Sequence, residues 1–215
     1  MNRTALIIID MQNDFAHPDG RAFLPDAAHK VPVMASVLDA FRQAKAPVIH
    51  VVRTYRRDTW DVERFRVPYF QNQPGFLVEG TWGAQIVDRL TPEPGEPVVM
   101  KSRFSAFAFT NLDLLLRRAG VNKIVVVGEN LPNCPRTTMF DAIGLDYDVV
   151  AVPDALATTG DETHHYNLQD LAAVGVRVAP SQDVIAEILR EGDRYADATH
   201  GAMAARRDEE RSEGR

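Results

Sequence analysis

Cysteine is almost missing from this chain: Cys134 is the single one in 215 residues. No internal disulfide can form, which fits a reducing compartment such as the cytoplasm. Long apolar runs are missing too; none approaches the roughly 18 residues of a membrane span. The opening Met1-Asn2-Arg3-Thr4 leads straight into an apolar run at Ala5 and lacks the layout of a signal peptide. No basic stripe stands out against a net charge of −6, so neither nucleic acid nor a membrane is an expected partner. The short basic piece from Arg53 to Arg57 is diluted by Asp58, Asp61 and Glu63, the pattern of a solvated, mixed-sign loop. No internal repeat and no domain linker is visible.

What is present is ordinary globular composition, 45% hydrophobic and 25% charged. The apolar runs are short, rich in Val and Ile, and bounded by turn residues: Ala5 to Ile9, Val48 to Val52, Val98 to Met100, Ile124 to Val127 and Val149 to Val152. Such runs suit parallel strands covered on both faces. Between them, Met34, Val37, Leu38 and Phe41 recur at helical spacing, as do Leu112, Leu115 and Leu116. Further helices are expected from Cys134 to Gly144, Glu162 to Ala173 and Gln182 to Leu189, the last capped by Ser181. Val176 to Val178 reads as a faint sixth strand.

Alternating strands and helices predict an α/β fold. It is a three-layer α/β/α arrangement with a mostly parallel sheet of about six strands in Rossmann-like order. One domain spans 1–190, followed by a charged, flexible tail over 191–215. From Thr54 to Gly80 the chain is polar, aromatic and irregular, as expected of a functional loop.

In open α/β sheets, sites form beyond the carboxyl ends of the strands. Asp10 closes the first strand, Lys101 closes the Val98 run, and Cys134 follows the strand ending at Gly128. Each alone has a plain structural reading as a cap, a solvated cation or a core thiol. Together they supply a base, a cation and a nucleophile. Pro135 suits the first turn of a helix, which places Cys134 at a helix N-terminus. That setting is expected to lower the thiol pKa.

The residues that carry chemistry resemble the isochorismatase-like cysteine hydrolases. The resemblance runs roughly from Thr4 to Leu189. It rests on Ile9 to Phe15, on Lys101 to Phe107 with Thr110, Leu112 and Leu115, and on Gly128 to Cys134 with Thr137, Asp141 and Ala142. It implies a catalytic triad of Asp10, Lys101 and Cys134, in which Cys134 attacks a carbonyl carbon and Asp10 shuttles the proton. It also implies a cis peptide at Glu129–Asn130 and an oxyanion hole from the N–H groups of Asn130 and Cys134. The chain departs from the family at Asn130-Leu131-Pro132, where a small residue followed by Thr-Asn is common.

The paired histidines of the family's nicotinamidases are absent after the second strand. His50 reads as a core histidine, and His164-His165 are adjacent rather than spaced for a metal. No metal and no other cofactor is expected. The pocket is expected to use Phe15, Tyr55, Phe104 and Phe107 as apolar lining. Arg53 or Arg103 would fork a substrate carboxylate, and Glu129 would meet an amine or amide donor or be solvated. The piece Phe76 to Ala84 resembles the branch that hydrolyses ureidoacrylate, biuret and N-carbamoyl amino acids. The resemblance thus implies an amidohydrolase of a small amide or ureide, working through a thioester as a homodimer or homotetramer. The alternatives are isochorismatase-type vinyl-ether hydrolysis, which needs no thiol, and a catalytically silent binding or assembly protein of the same fold.

Overall fold

A computed structural model describes residues 3–72 and 75–192. Six strands form one sheet: β1 (Arg3–Ile9), β2 (Val48–Arg53), β3 (Val98–Lys101), β4 (Val121–Gly128), β5 (Asp148–Leu156) and β6 (Arg177–Val178). Their order is β3-β2-β1-β4-β5-β6, and every pairing is parallel. The expected runs all became strands, and the faint sixth is a two-residue edge strand.

Helices cover both faces because alternate strand residues are apolar on each side. Leu6, Ile8, Val125 and Val127 pack with Met34, Leu38 and Phe41 of α2 (Pro25–Gln43). Val184 and Ile188 of the last helix, α7 (residues 181–192), join them. On the other face Ala5, Ile7, Ile9 and Val126 pack with Leu112 and Leu116 of α4 (Leu112–Arg118). Met139 and Ala142 of α5 (Cys134–Gly144) and Leu171 of α6 (Asp161–Ala173) complete that layer. Two short helices, α1 (Asn13–Ala16) and α3 (Val67–Asn72), lie in the connections after β1 and β2.

Some local expectations change. Ser181 begins the helical residues rather than capping them, and its hydroxyl and N–H both bond the Asp154 carboxylate. The segment expected to be irregular after Thr54 holds α3, a bridge between Tyr55 and Val78, and a small core of Tyr55, Val62, Phe76 and Leu77. The charged tail expected from 191 begins with two helical residues; 193–215 lie outside the described residues. No helix of the described residues is long and apolar enough to cross a membrane.

Candidate active site

The strand order reverses direction from β1, since β2 and β4 flank it. The carboxyl ends of β1, β3 and β4 therefore lie together at one edge of the parallel sheet, where sites of such folds form. Asp10 follows β1 at a positive φ of 57° and sits fully buried. Its backbone N–H donates to Val51 O at 2.8 Å. Lys101 ends β3, and its ammonium donates to Asp10 Oδ2 at 2.6 Å. Among the described residues, Asp10 Oδ1 is buried without a hydrogen-bond partner.

Gly128 ends β4 against Ile9. Its φ is +126°, and an added Cβ would lie 2.1 Å from Ile9 O. Only glycine allows this approach, which brings the next turn beside Asp10. In that turn the Glu129–Asn130 bond is cis. Leu131 N–H donates to Ala157 O at 2.8 Å, tying the turn to the end of β5. Cys134 is the first residue of α5, with Asn133 as N-cap and Pro135 behind it. Among the described residues, the backbone N–H groups of Asn130 and Cys134 donate no hydrogen bond. Thr138 Oγ1 donates to Cys134 O at 2.7 Å and accepts from Ala106 N at 2.9 Å, fixing the first turn of α5.

The thiol itself differs from the expectation. Burial pushes Cys134 up to about 12, and the Asp10 carboxylate adds to this; Lys101 and Arg53 oppose it without prevailing. Desolvation disfavours the charged form of a thiol even at a helix N-terminus, and Cys134 is 5% exposed. Glu129 is also buried, and its carboxyl is raised well above the carboxylate range by burial first and by Asp10 second. The solvated alternative for Glu129 is excluded.

Arg53, at the end of β2, is fully buried against the site. Its Nη2 donates to Cys134 Sγ at 3.2 Å and to Arg103 O at 3.1 Å. Its Nη1 donates to Tyr55 Oη at 2.6 Å and to Glu63 Oε1. Nε makes no hydrogen bond among the described residues and lies 3.8 Å from Asp10 Oδ2 as an ion pair. No parallel pair of N–H groups is left to fork a substrate carboxylate, so that expectation for Arg53 is withdrawn. Arg103 holds the carbonyls of Asp61 and Ser102 through Nη1.

Of the expected aromatic lining, Phe104 and Tyr55 meet the Arg53 guanidinium, which lies 5.2 Å and 5.7 Å from their ring centroids, and Phe65 stacks on Phe104 at 6.2 Å. Phe15 packs on Phe76, Phe107 stacks on Tyr147, and Tyr55 is buried beneath Phe70 and Phe76. Phe15 and Phe107 are packing residues, on the small loop core and on the sheet-face core respectively, while the Tyr55 ring packs in the loop core and its hydroxyl reaches Arg53 and Glu63.

Residues overlooked in the sequence complete the frame. Glu63, read as a solvated charge, is a buried partner of Arg53 and Tyr55. The Gln12 amide brackets the Arg53 backbone, accepting from its N–H at 2.8 Å and donating to its carbonyl at 2.9 Å. Both are polar residues in irregular chain, where no hydrophobic period marks burial. His50 faces Glu96 at 2.9 Å, as a core histidine should. His164 faces Pro153 O at 2.9 Å. Among the described residues no group of three or more His, Cys, Asp or Glu is arranged to hold a metal.

Known proteins are similar to this chain in sequence and fold. The Isochorismatase domain model matches residues 4–183. An Arabidopsis thaliana protein named a probable inactive nicotinamidase is 41% identical over 177 residues, covering 81% of this chain and 90% of its own. The ureidoacrylate amidohydrolase RutB of Pantoea ananatis is 32% identical over 180 residues, 74% of this chain and 71% of its own. The crystal structure of an isochorismatase family protein from Desulfovibrio vulgaris superposes with a TM-score of 0.82 at 44% identity, covering 86% of this chain and all of that one. With a parallel six-stranded sheet in this order and a family match across most of its length, the chain belongs to the isochorismatase-like hydrolase family.

Proposed function

We propose that this protein hydrolyses a C–N bond of a small amide or ureide through a thioester on Cys134. The observation that carries the reading is the convergence of Asp10, bound by Lys101 at 2.6 Å, with the lone thiol at the N-terminus of α5. Similarity to a ureidoacrylate amidohydrolase supports the bond type.

Burial raises the thiol pKa, so attack calls for a base. Asp10 Oδ1, buried and unpartnered, is the acceptor. As the S–H proton passes to Asp10, sulfur bonds to the substrate carbonyl carbon and the carbonyl π electrons move to oxygen. The N–H groups of Asn130 and Cys134, which have no other acceptor among the described residues, receive that oxyanion; such donors contribute about 3 kcal/mol each. The oxyanion collapses, the C–N bond breaks, and Asp10 returns its proton to the leaving nitrogen. Water then attacks the thioester, its proton passing through Asp10 to restore the thiol. Lys101 keeps the carboxylate in place throughout.

The test is ammonia release from a panel of small amides and ureides, with and without chelator, together with intact mass after thiol alkylation. Chelator-insensitive release that stops when Cys134 is alkylated is the expected result. A second reading, a catalytically silent protein of the same fold, draws on the closed site and on the relative named as inactive. Release absent across the panel, with a slowly alkylated thiol, would favour it.

A further inference from the structure

We propose that Arg53 is a second cation of the Cys134 thiol and that Glu63 is the positioning residue that holds it there. The hydrogen bond that reaches Sγ comes from Arg53 Nη2 at 3.2 Å, whereas the Lys101 ammonium bonds Asp10. When the S–H proton passes to Asp10, the negative charge forms beside a guanidinium that stays protonated. A fixed cation at that distance stabilises the thiolate and the transition state leading from it.

Glu63 is built as the clamp. Its Oε1 accepts from Arg53 Nη1, and its Oε2 accepts from Tyr55 Oη at 2.6 Å. Tyr55 Oη in turn accepts from the same Arg53 Nη1, closing a three-residue ring. Arg66 Nε lies 3.4 Å from Glu63 Oε2, and the Arg66 guanidinium lies over the rings of Phe65 and Phe104. Glu63 stays ionised: burial raises its carboxyl, but the Tyr55 hydrogen bond and the Arg53 charge outweigh this and lower it. Arg53 Nη1 is thereby fixed, which aims Nη2 at the sulfur.

A passive counter-ion and a clamp give opposite signs. If Glu63 only added negative charge, removing it would make the surroundings of Cys134 more positive. If it positions Arg53, removing it lets the guanidinium leave and makes them less positive. The readout is the ratio of alkylation rates for iodoacetate and iodoacetamide, measured on the full chain at one pH. Both reagents need the thiolate and the same access, so the ratio reports local charge. Cys134 is the sole cysteine, so intact mass reports it alone.

Arg53→Gln, Glu63→Ala and Glu63→Gln are each expected to lower the ratio about tenfold. The double variant Arg53→Gln/Glu63→Gln should fall no further than Arg53→Gln, as for residues acting as a unit. Glu63→Gln keeps the volume if the alanine variant does not fold. A ratio that is unchanged or raised in the Glu63 variants, or additive in the double, overturns the proposal. Where a hydrolysed substrate is found, kcat should fall with KM within about twofold; a raised KM at constant kcat would return Arg53 to substrate binding. The proposal rests on Cys134 as the working thiol, but the ratio needs no substrate, so it stands or fails apart from the reaction assigned above.

Discussion

Lys101 binds one oxygen of Asp10 at 2.6 Å and leaves the other buried without a hydrogen-bond partner among the described residues. A carboxylate held by one oxygen and open at the other is placed to carry a proton without changing position. Asp10→Asn should abolish this while preserving the fold, because asparagine tolerates the positive φ of 57° found there. Turnover is expected to fall at least about a thousandfold. Cys134→Ala should abolish hydrolysis with thermal unfolding close to wild type. Activity within about tenfold of wild type in either variant would end the triad assignment.

Gly128→Ala tests how the site is assembled. The new Cβ would meet Ile9 O at 2.1 Å and Ile9 N at 2.7 Å, at a φ of +126°. Neither neighbour is a flexible side-chain end; both are β1 backbone immediately before Asp10. The variant should lose about 3 kcal/mol or more of stability and lose activity even below its melting temperature. A melting temperature within a few degrees of wild type, with full turnover, would show that β1 and β4 can separate at no loss.

The fold was legible because its signals are local. Val- and Ile-rich runs and helical spacings depend on neighbours along the chain, and α5 begins at Cys134 because Pro135 suits a first turn. Asp10, Lys101 and Cys134 were legible as candidates for a topological reason: residues at or just past the carboxyl ends of neighbouring parallel strands come together whatever separates them in sequence. Glu63 was not legible. It sits in coil among Arg and Asp residues, and only the folded path beside Tyr55 and Arg53 buries it. The thiol was misread for a related reason. A helix N-terminus is visible in sequence, but the burial that outweighs its field is not.

Glu96 should contribute acid-sensitive stability. Burial raises its carboxyl, but hydrogen bonds from Arg42, Glu93 N–H and His50 prevail and bring it to about 2, below the ordinary 4.5. A depressed carboxylate stabilises the fold above its unfolded pKa and loses that contribution as pH falls through the folded one. Wild type should therefore unfold at a higher temperature than Glu96→Gln at pH 7, with the gap narrowing between about pH 4.5 and 2. A gap that does not narrow would remove the ion pair as its cause.

Glu129 should act with the opposite slope. Its carboxyl is raised in the fold, by burial and then by Asp10, and returns to about 4.5 when the chain unfolds. Between those values the native state binds more protons than the unfolded state, so stability falls as pH rises. Glu129→Gln keeps the shape and cannot ionise. The variant should melt above wild type at pH 8, by roughly 2–4 °C for each kcal/mol gained, and the advantage should vanish toward pH 4. Melting curves at the two pH values decide it. A constant difference would mean that packing, not the buried acid, separates the two proteins, and a wild type favoured at pH 8 would mean that Glu129 is ionised and paired in the native site.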